Sequence, residues 1–289
     1  MTDFSNITIV NVDGRVRDLS AAQMALVLSG RFMPGARLLL LSPERPARLL
    51  AGITHCQIGT LDYFQYNLFV VYALSAFIET DFALIVQDDG WVIDGEGWDE
   101  RFLRYDYLGA PIHLAQVTAQ GTMTFLSGFE WVALLHDAAR QIVPVLNGGF
   151  SLRSKRLLEA PARLGLPYQV PPPSRLVGPP HVMQWEANTH LEDVQICVFM
   201  GQKLMEAGIA IAPVAEAAKF AVEHCAPGLQ NAANLQVLFG HHSTLRKLTS
   251  LDPLTVTYPV SKQTVEGLFG EVSIAAMFAS RGYIVKYAM

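Results

Sequence analysis

Charged side chains are scarce in this sequence. Asp, Glu, Lys and Arg make up 16% of the 289 residues, and acids outnumber bases by 26 to 21, a formal net charge of −5. That balance excludes a general nucleic-acid binder, which needs clustered Lys and Arg to displace counterions from phosphates. Cysteine is scarcer still: Cys56, Cys197 and Cys225 are odd in number, far apart and form no CxxC pair. Such usage suits a reducing cytoplasm and offers no zinc site. Long apolar runs are missing too. The longest, residues 67–78, is too short to span a bilayer and is closed by Glu79 and Asp81. The opening "MTDFSNITIV" has neither the basic nor the apolar region of a signal peptide. A cytoplasmic protein is expected, and the positive mean hydropathy of +0.27 leaves room for peripheral attachment at the inner face of a membrane.

What is plentiful is apolar surface. With 51% hydrophobic residues the chain can bury a large core, in one large domain or two intimately packed ones. Short β-type runs alternate with helical patterns through the first third. "ITIVNV" from Ile7, "ARLLLL" from Ala36, "HCQI" from His55 and "FALIVQ" from Phe82 read as strands. "SAAQMALVLSG" from Ser20, "PERPARLLA" from Pro43 and "DYFQYNLFVVYALSAFI" from Asp62 read as helices, with Ser20, Ser42 and Asp62 near their starts. The strands lack polar alternation, as expected when helices cover both faces of a parallel sheet. The fold class is therefore α/β, with a mostly parallel central sheet flanked by helices.

Further on, "YDYLGAP" from Tyr105 reads as a strand entering a turn, and "NGGFSLRS" from Asn147 as a turn, a strand and a helix from about Ser154. Residues 115–145 contain Gly121, Gly128, Phe125, Phe129 and Trp131, which suits a mobile loop over a ligand or, equally, a structural insertion. The proline-rich residues 167–180 read as a surface loop, and a helix is expected from about Glu192 to a stop at Gly208. There is no internal repeat and no clean linker.

In open parallel sheets, ligands sit at the carboxyl ends of the strands. Val12, Asp13 and Gly14 end the first strand, and Gln87, Asp88 and Asp89 end the "FALIVQ" strand, which places both triplets on one rim. Adjacent carboxylates at such an end suit Mg²⁺ or Mn²⁺, but also an ordinary solvated Asp-Gly turn. "FGHH" at residues 239–242 offers imidazoles, "LED" at 191–193 offers carboxylates that a helix start favours for its own sake, and "NGG" at 147–149 is either a tight turn or a close approach of backbone to ligand.

Taken in order, these blocks resemble the GT-A class of nucleotide-sugar glycosyltransferases. They are closer still to a mostly bacterial family within it that is catalogued as a domain of unknown function. That family's pattern runs Q-x-D-G, YDY-[IL]-GAP, NGGFSLRS, H-x-E-D, APxxxAxxFxxE and F-G-x-H. This chain has "QDDGWVIDGEGW", "YDYLGAP", "NGGFSLRS", "HLEDVQIC", "APVAEAAKFAVE" and "FGHH" in the same order. Ile112 and His113 stand where the family places Trp after GAP. The resemblance covers roughly residues 7–245. It implies a Rossmann-like GT-A domain over residues 1–250, with a nucleotide-sugar half to about 110 and an acceptor half beyond it. Residues 251–289 would be a C-terminal extension packed on that domain.

The resemblance also implies roles. Asp89 matches the metal-binding carboxylate of a DxD-type element with Gln87 in place of its first Asp, and Asp88 fills the variable position. His242 matches the late histidine that completes the metal site for Mn²⁺ or Mg²⁺. Asn147, Gly148 and Gly149 match the loop facing the sugar, and Asp193 matches the base of inverting members. Val12, Asp13, Gly14, Gln87, Asp88 and Glu192 fall on the donor side, Glu192 orienting the loop or capping its helix. Asp89 and His242 are expected at a solvent-reached rim, and Asp193 is expected ionised in the first turn of its helix. The implied function is metal-dependent transfer from a nucleoside-diphosphate sugar, most commonly a UDP-sugar, to a glycan, lipid-linked or small-molecule hydroxyl. The alternatives are a retaining transferase and a nucleotide-sugar-binding protein without transfer activity.

Overall fold

The first apolar runs become strands that are covered on both faces. In the computed structural model, which describes residues 2–288, β1 (Ile7–Val12) is buried along its whole length. It is followed by α1 (Ser20–Phe32), β2 (Arg37–Ser42), β3 (Ile53–Gln57), α2 (Tyr63–Tyr72) and β4 (Phe82–Ile85). β1 pairs in parallel with β2 and β4, and β2 with β3. The start of α2 is fixed locally: Asp62 accepts from the Gln65 amide while the Gln65 side chain accepts from the Asp62 amide, a reciprocal capping box. "PERPARLLA", expected as a helix, is an irregular, bent segment, because Pro46 would fall inside the helix and can supply no amide donor.

After β5 (Gly90–Val92) the sheet changes character. β6 (Tyr107–Ala119), β7 (Thr122–Leu126) and β8 (Arg140–Ser154) complete a seven-stranded sheet in the order β3-β2-β1-β4-β8-β6-β7. β8 runs antiparallel to both β4 and β6, and β7 antiparallel to β6. The expected mostly parallel sheet thus holds for β3, β2, β1 and β4 only. The two-residue turn between β6 and β7 requires that pair to be antiparallel, since a parallel partner needs a long crossover, whereas β8 reaches its antiparallel places beside β4 and β6 through longer connections. Residues 115–145 are no loose loop: they prolong β6 and β8 and form β7, and Trp131 between β7 and β8 is fully buried. The turn at Gln120 and Gly121 has positive φ at both residues, the geometry that joins two strands without splaying them.

GAP and NGG, both expected as turns, lie inside β6 and β8 and face each other. Two residue steps in β6, from Gly109 to Pro111, stand against five in β8, from Ser151 to Leu146, so residues 147–150 bulge out of the ladder. Gly109 permits this, because a Cβ there would lie 2.1 Å from the Asn147 carbonyl oxygen.

α3 (Lys155–Arg163) is capped by Ser154, whose hydroxyl accepts from the Leu157 amide at 3.0 Å. β9 (Arg175–Val177) and β10 (Val182–Gln184) form a separate hairpin where a plain loop was expected. The expected helix from Glu192 is built as α4 (Glu192–Val194), a π-turn (Gln195–Phe199) and α5 (Gly201–Glu206), and Gly208 ends it at φ +80°. α6 (Val214–Phe220), β11 (Ala221–Val222), α7 (Ala232–Leu235) and β12 (Gly240–His242) follow. β12 joins β11 and β5 in a small sheet whose register sets His242 opposite Gly90, which brings the two ends of the motif series together.

β13 (Lys247–Leu251), β14 (Leu254–Tyr258), α8 (Lys262–Glu266), α9 (Glu271–Ser280) and β15 (Ile284–Tyr287) close the chain around a second core that includes Trp91, Tyr258 and Phe278. Among the described residues no helix is long and apolar enough to cross a membrane.

Gly240 seats β12 against β8, for an added Cβ would lie 2.0 Å from the Phe150 ring. Gly240→Ala is expected to lower unfolding free energy by about 1–3 kcal/mol, the usual cost of overpacking a filled core. A urea midpoint equal to wild type would contradict this packing.

Candidate active site

β1 and β4 are parallel neighbours, so their carboxyl ends place Asp13 and Asp88 on one rim, as the sequence suggested. Arg17 ties them together, its Nε 2.5 Å from Asp13 Oδ2 and its Nη1 2.9 Å from Asp88 Oδ2. Behind this rim lies a cavity of about 260 Å³ lined by Val12, Asp13, Gly14, Arg15, Arg17, Gln87 and Asp88 on one side and by Leu61, Asp62, Tyr63 and Tyr66 on the other. Gly14 allows the two sides to meet, since a Cβ there would collide with Leu61 at 2.3 Å. The Tyr63 and Tyr66 rings are parallel within 3°. Flat aromatic faces beside a guanidinium suit a ligand with a planar base and an anionic part.

At the inner end of the rim the β5–β12 pairing assembles a polar knot. His242 Nε2 lies 3.3 Å from Asp89 Oδ1 and 3.1 Å from Gln87 Oε1, while Lys247 Nζ approaches Asp89 Oδ2 at 3.4 Å. The Gln87 amide donates to the Tyr66 hydroxyl at 2.9 Å. Asn147, carried into place by the β8 bulge, donates to Glu223 at 2.6 Å and lies 3.2 Å from His242 Nδ1. Asp89 is only 7% exposed, so it is not the solvent-reached residue expected from the sequence. Ser243 closes over it, its amide bonding the Asp89 carbonyl at 2.8 Å. Burial alone would raise the Asp89 carboxyl, but His242 and Lys247 outweigh it and hold the group well below the usual carboxylate range. Burial would likewise lower His242, yet Asp89 leaves it raised.

Asp89 and His242 were the residues expected around a divalent cation, with Gln87 beside them on the donor side. Among the described residues no group of three or more His, Cys, Asp or Glu is positioned to hold a metal. The three donors nevertheless converge, and a Cβ on Gly149 would intrude beside them, 2.5 Å from His242 Nε2 and 2.8 Å from Gln87 Oε1. One carboxylate, one amide oxygen and one imidazole make an open set. That set fits Mn²⁺ or Mg²⁺ with positions left for water and phosphate, not a closed protein cage.

A third cluster lies at the start of α4. Arg153 of β8 is fully buried and reaches both carboxylate oxygens of Glu192 at 2.9 Å. Gly148 passes beside the pair, and a Cβ there would lie 1.8 Å from Glu192 Oε1. Glu192 is therefore turned to Arg153 and does not line the cavity beside Asp13. Asp193 is 8% exposed and accepts from the Val194 amide at 2.8 Å. It borders a second cavity of about 230 Å³ shared with Ile112, His113, Leu114, Asn188 and Leu191. Burial, then the charges of Glu192 and Glu223, raise its carboxyl from 3.8 to about 7. A helix start was expected to favour the ionised carboxylate; here, with its neighbours both negative, desolvation dominates and shifts the group the other way. Burial and the charges of Asp193, Glu192 and Glu223 raise the Tyr63 hydroxyl, so this side chain of the first cavity also faces the acidic cluster.

Arg17, Tyr63, Tyr66, Arg153, Glu223 and Lys247 were not assigned roles from the sequence. Two of them had a signal: Arg153 lies inside "NGGFSLRS" and Glu223 ends "APVAEAAKFAVE". Arg17 and Lys247 stand in unpatterned segments.

Residues 63–242 match the family described as "Protein of unknown function (DUF5672)". The match takes in more than half of the chain. This protein belongs to the DUF5672 family. Every motif block from "QDDGWVIDGEGW" to "FGHH" falls inside the matched residues, whereas Val12 to Gly14, Arg17 and Lys247 lie outside them. No curated protein matches the DUF5672 chain. Among solved structures, the galactosyltransferase LgtC in complex with donor and acceptor sugar analogues is similar over 95% of each chain. The identity is 13% and the TM-score 0.41, a likeness too slight to carry an inference about activity.

Because Asp193 titrates near 7 when folded and at 3.8 when unfolded, the unfolded chain gives up this proton first. Its contribution to stability is intact below pH 3.8, falls as pH rises to about 7 and is constant above that. Asp193→Asn is expected to gain on wild type over that window and to be more stable at pH 8, by on the order of 1 kcal/mol or more. Parallel denaturation curves at pH 4 and pH 8 check this, and an equal difference at both would refute the buried carboxyl.

Proposed function

We propose that this DUF5672 protein transfers a sugar from a nucleoside-diphosphate sugar to an acceptor hydroxyl, with inversion at the anomeric carbon. The observation that carries the reading is the order of the parts. A cavity with aromatic faces and Arg17 adjoins the Asp89–Gln87–His242–Asn147 knot, and beyond it a second cavity holds a carboxyl that titrates near neutrality.

In this reading the nucleotide lies against Tyr63 and Tyr66, and Arg17 meets the diphosphate. Asp89, Gln87 and His242 would hold Mn²⁺ or Mg²⁺, which when bound neutralises charge gathering on the departing diphosphate. Lys247 adds a fixed positive charge at the same place. Asn147 and the bulged glycines face the sugar. The acceptor enters the second cavity, and Asp193 takes its hydroxyl proton as the new bond to the anomeric carbon forms and the bond to the diphosphate breaks. A base with a pKa near the working pH is suited to that task. UDP is the first nucleotide to test, and the acceptor hydroxyl is carried by a glycan, a lipid-linked sugar or a small molecule.

Incubation with UDP-sugars and Mn²⁺, with and without a chelator, is expected to give metal-dependent UDP release and a product of inverted configuration by NMR. Asp193→Asn should leave donor binding nearly unchanged and slow transfer by roughly 10² to 10⁴. A retained configuration would remove Asp193 as base, and binding of nucleotide sugars with no transfer to any acceptor would leave a binding protein. Transfer that survives the chelator and is lost in Lys247→Met would move charge neutralisation from a cation to Lys247.

Arg17→Ala should weaken nucleotide binding by about tenfold or more, because it removes charge-assisted hydrogen bonds at the rim. Isothermal titration with UDP measures this, and an unchanged Kd would place the nucleotide elsewhere.

A further inference from the structure

The hairpin β9–β10 is a two-stranded sheet of its own, and every one of its strand residues except Gln184 is exposed. Leu176 is 65% exposed, Met183 58%, Val182 53% and Val177 38%. Leu176 pairs across the hairpin with Met183, and Val177 with Val182. Successive strand residues point to opposite faces, so one apolar pair is bare on each face.

We propose that this hairpin docks the protein on a bilayer containing anionic phospholipid, entering its interfacial layer. A flat protein partner would cover one face, whereas lipid covers both. The backbone suits such a medium, because Pro171, Pro172, Pro173, Pro179 and Pro180 bring no N–H groups that would have to leave water. Charge points the same way. The hairpin segment, residues 171–184, contains no Asp or Glu but does contain Arg175 and His181, with Glu186 following at its base, in a chain whose net charge is −5. Arg175 on a projection free of carboxylates is drawn to a negative leaflet that the acidic remainder of the protein would avoid.

The hairpin is a firm projection. The Trp185 indole N–H donates to the Pro171 carbonyl at 2.8 Å, and the Ser174 amide donates to the Gln184 carbonyl at 2.8 Å. Its half-buried Trp185 sits at the base, where an aromatic ring suits the headgroup level. The chain leaving the base passes directly to Ala187 and Asn188, which line the Asp193 cavity. Docking stands apart from the transferase reading. Its consequence for that reading is that the acceptor cavity opens close to the bilayer.

The purified full chain is mixed with vesicles of phosphatidylcholine alone, or of phosphatidylcholine with phosphatidylglycerol, and floated on a density gradient. Wild type is expected to float with the mixed vesicles. The double variant Leu176→Asp/Met183→Asp should lose about tenfold or more of that partitioning, and Arg175→Glu should lose part of it on anionic vesicles alone. These side chains are exposed, so circular dichroism and thermal unfolding should match wild type. Wild type that stays with the soluble fraction, or a double variant that floats equally well, overturns the proposal. So does a dimer in sedimentation that the double variant abolishes while vesicle binding is nil, since the hairpin would then join two copies of the chain.

Discussion

Arg153 has no contact with solvent, and both oxygens of Glu192 meet its guanidinium at 2.9 Å. Its Nε donates to Ser151 and its charge lies 5.1 Å from the Tyr107 ring centre, so one side chain ties β8, β6 and the start of α4 together. Removing one partner from such a buried pair costs roughly 3–5 kcal/mol, because the other charge is left in an apolar setting. Most of the site hangs on this contact. Gly148 has to be glycine because the pair passes beside it, the bulge that presents Asn147 begins there, and Asp193 is fixed as the next residue after an immobilised Glu192.

The same crowding sorts the carboxylates into different duties. Glu192 is matched by a guanidinium, Glu223 by the Asn147 amide, and Asp89 by His242 and Lys247. Among the described residues Asp193 receives only the amide of Val194, and it has two negative neighbours. Thus Asp89 is held as an anion facing a cationic environment, and Asp193 is left able to exchange a proton near neutrality. Pairs of acids whose surroundings push them apart in this way are a common means of dividing labour in a site.

Some of this was legible in the sequence because local rules decide it. The ends of β1 and β4 follow from two apolar runs stopping at Asp13 and Asp88, and Asp62 with Gln65 spells its own helix start. Longer-range facts were not legible. The strands through residues 115–145 turn on Gln120 and Gly121, a pair that lacks the Asn-Gly signal of a two-residue turn. GAP and NGG read as turns because glycine marks turns and bulges alike, and only the opposing strand tells which. Acidic residues at a helix start normally face water. The burial of Asp193 depends on what β8 and the residues before α4 lay over it, which no periodicity within the helix records.

The π-turn at Gln195–Phe199, closed by the Met200 amide on the Gln195 carbonyl at 2.8 Å, gives the helix one residue more than its length requires. Each helical residue advances the phase by about 100°. The extra residue is therefore a phase shifter between the core-facing side of α5 and the acidic pair at the start of α4. Without it, with α5 still seated on Leu204, Glu192 would swing off the axis of Arg153 and a different side chain would be offered to it. Which of two adjacent acids is neutralised and which is left to titrate is thus decided by a residue count downstream, in a segment that touches neither cavity.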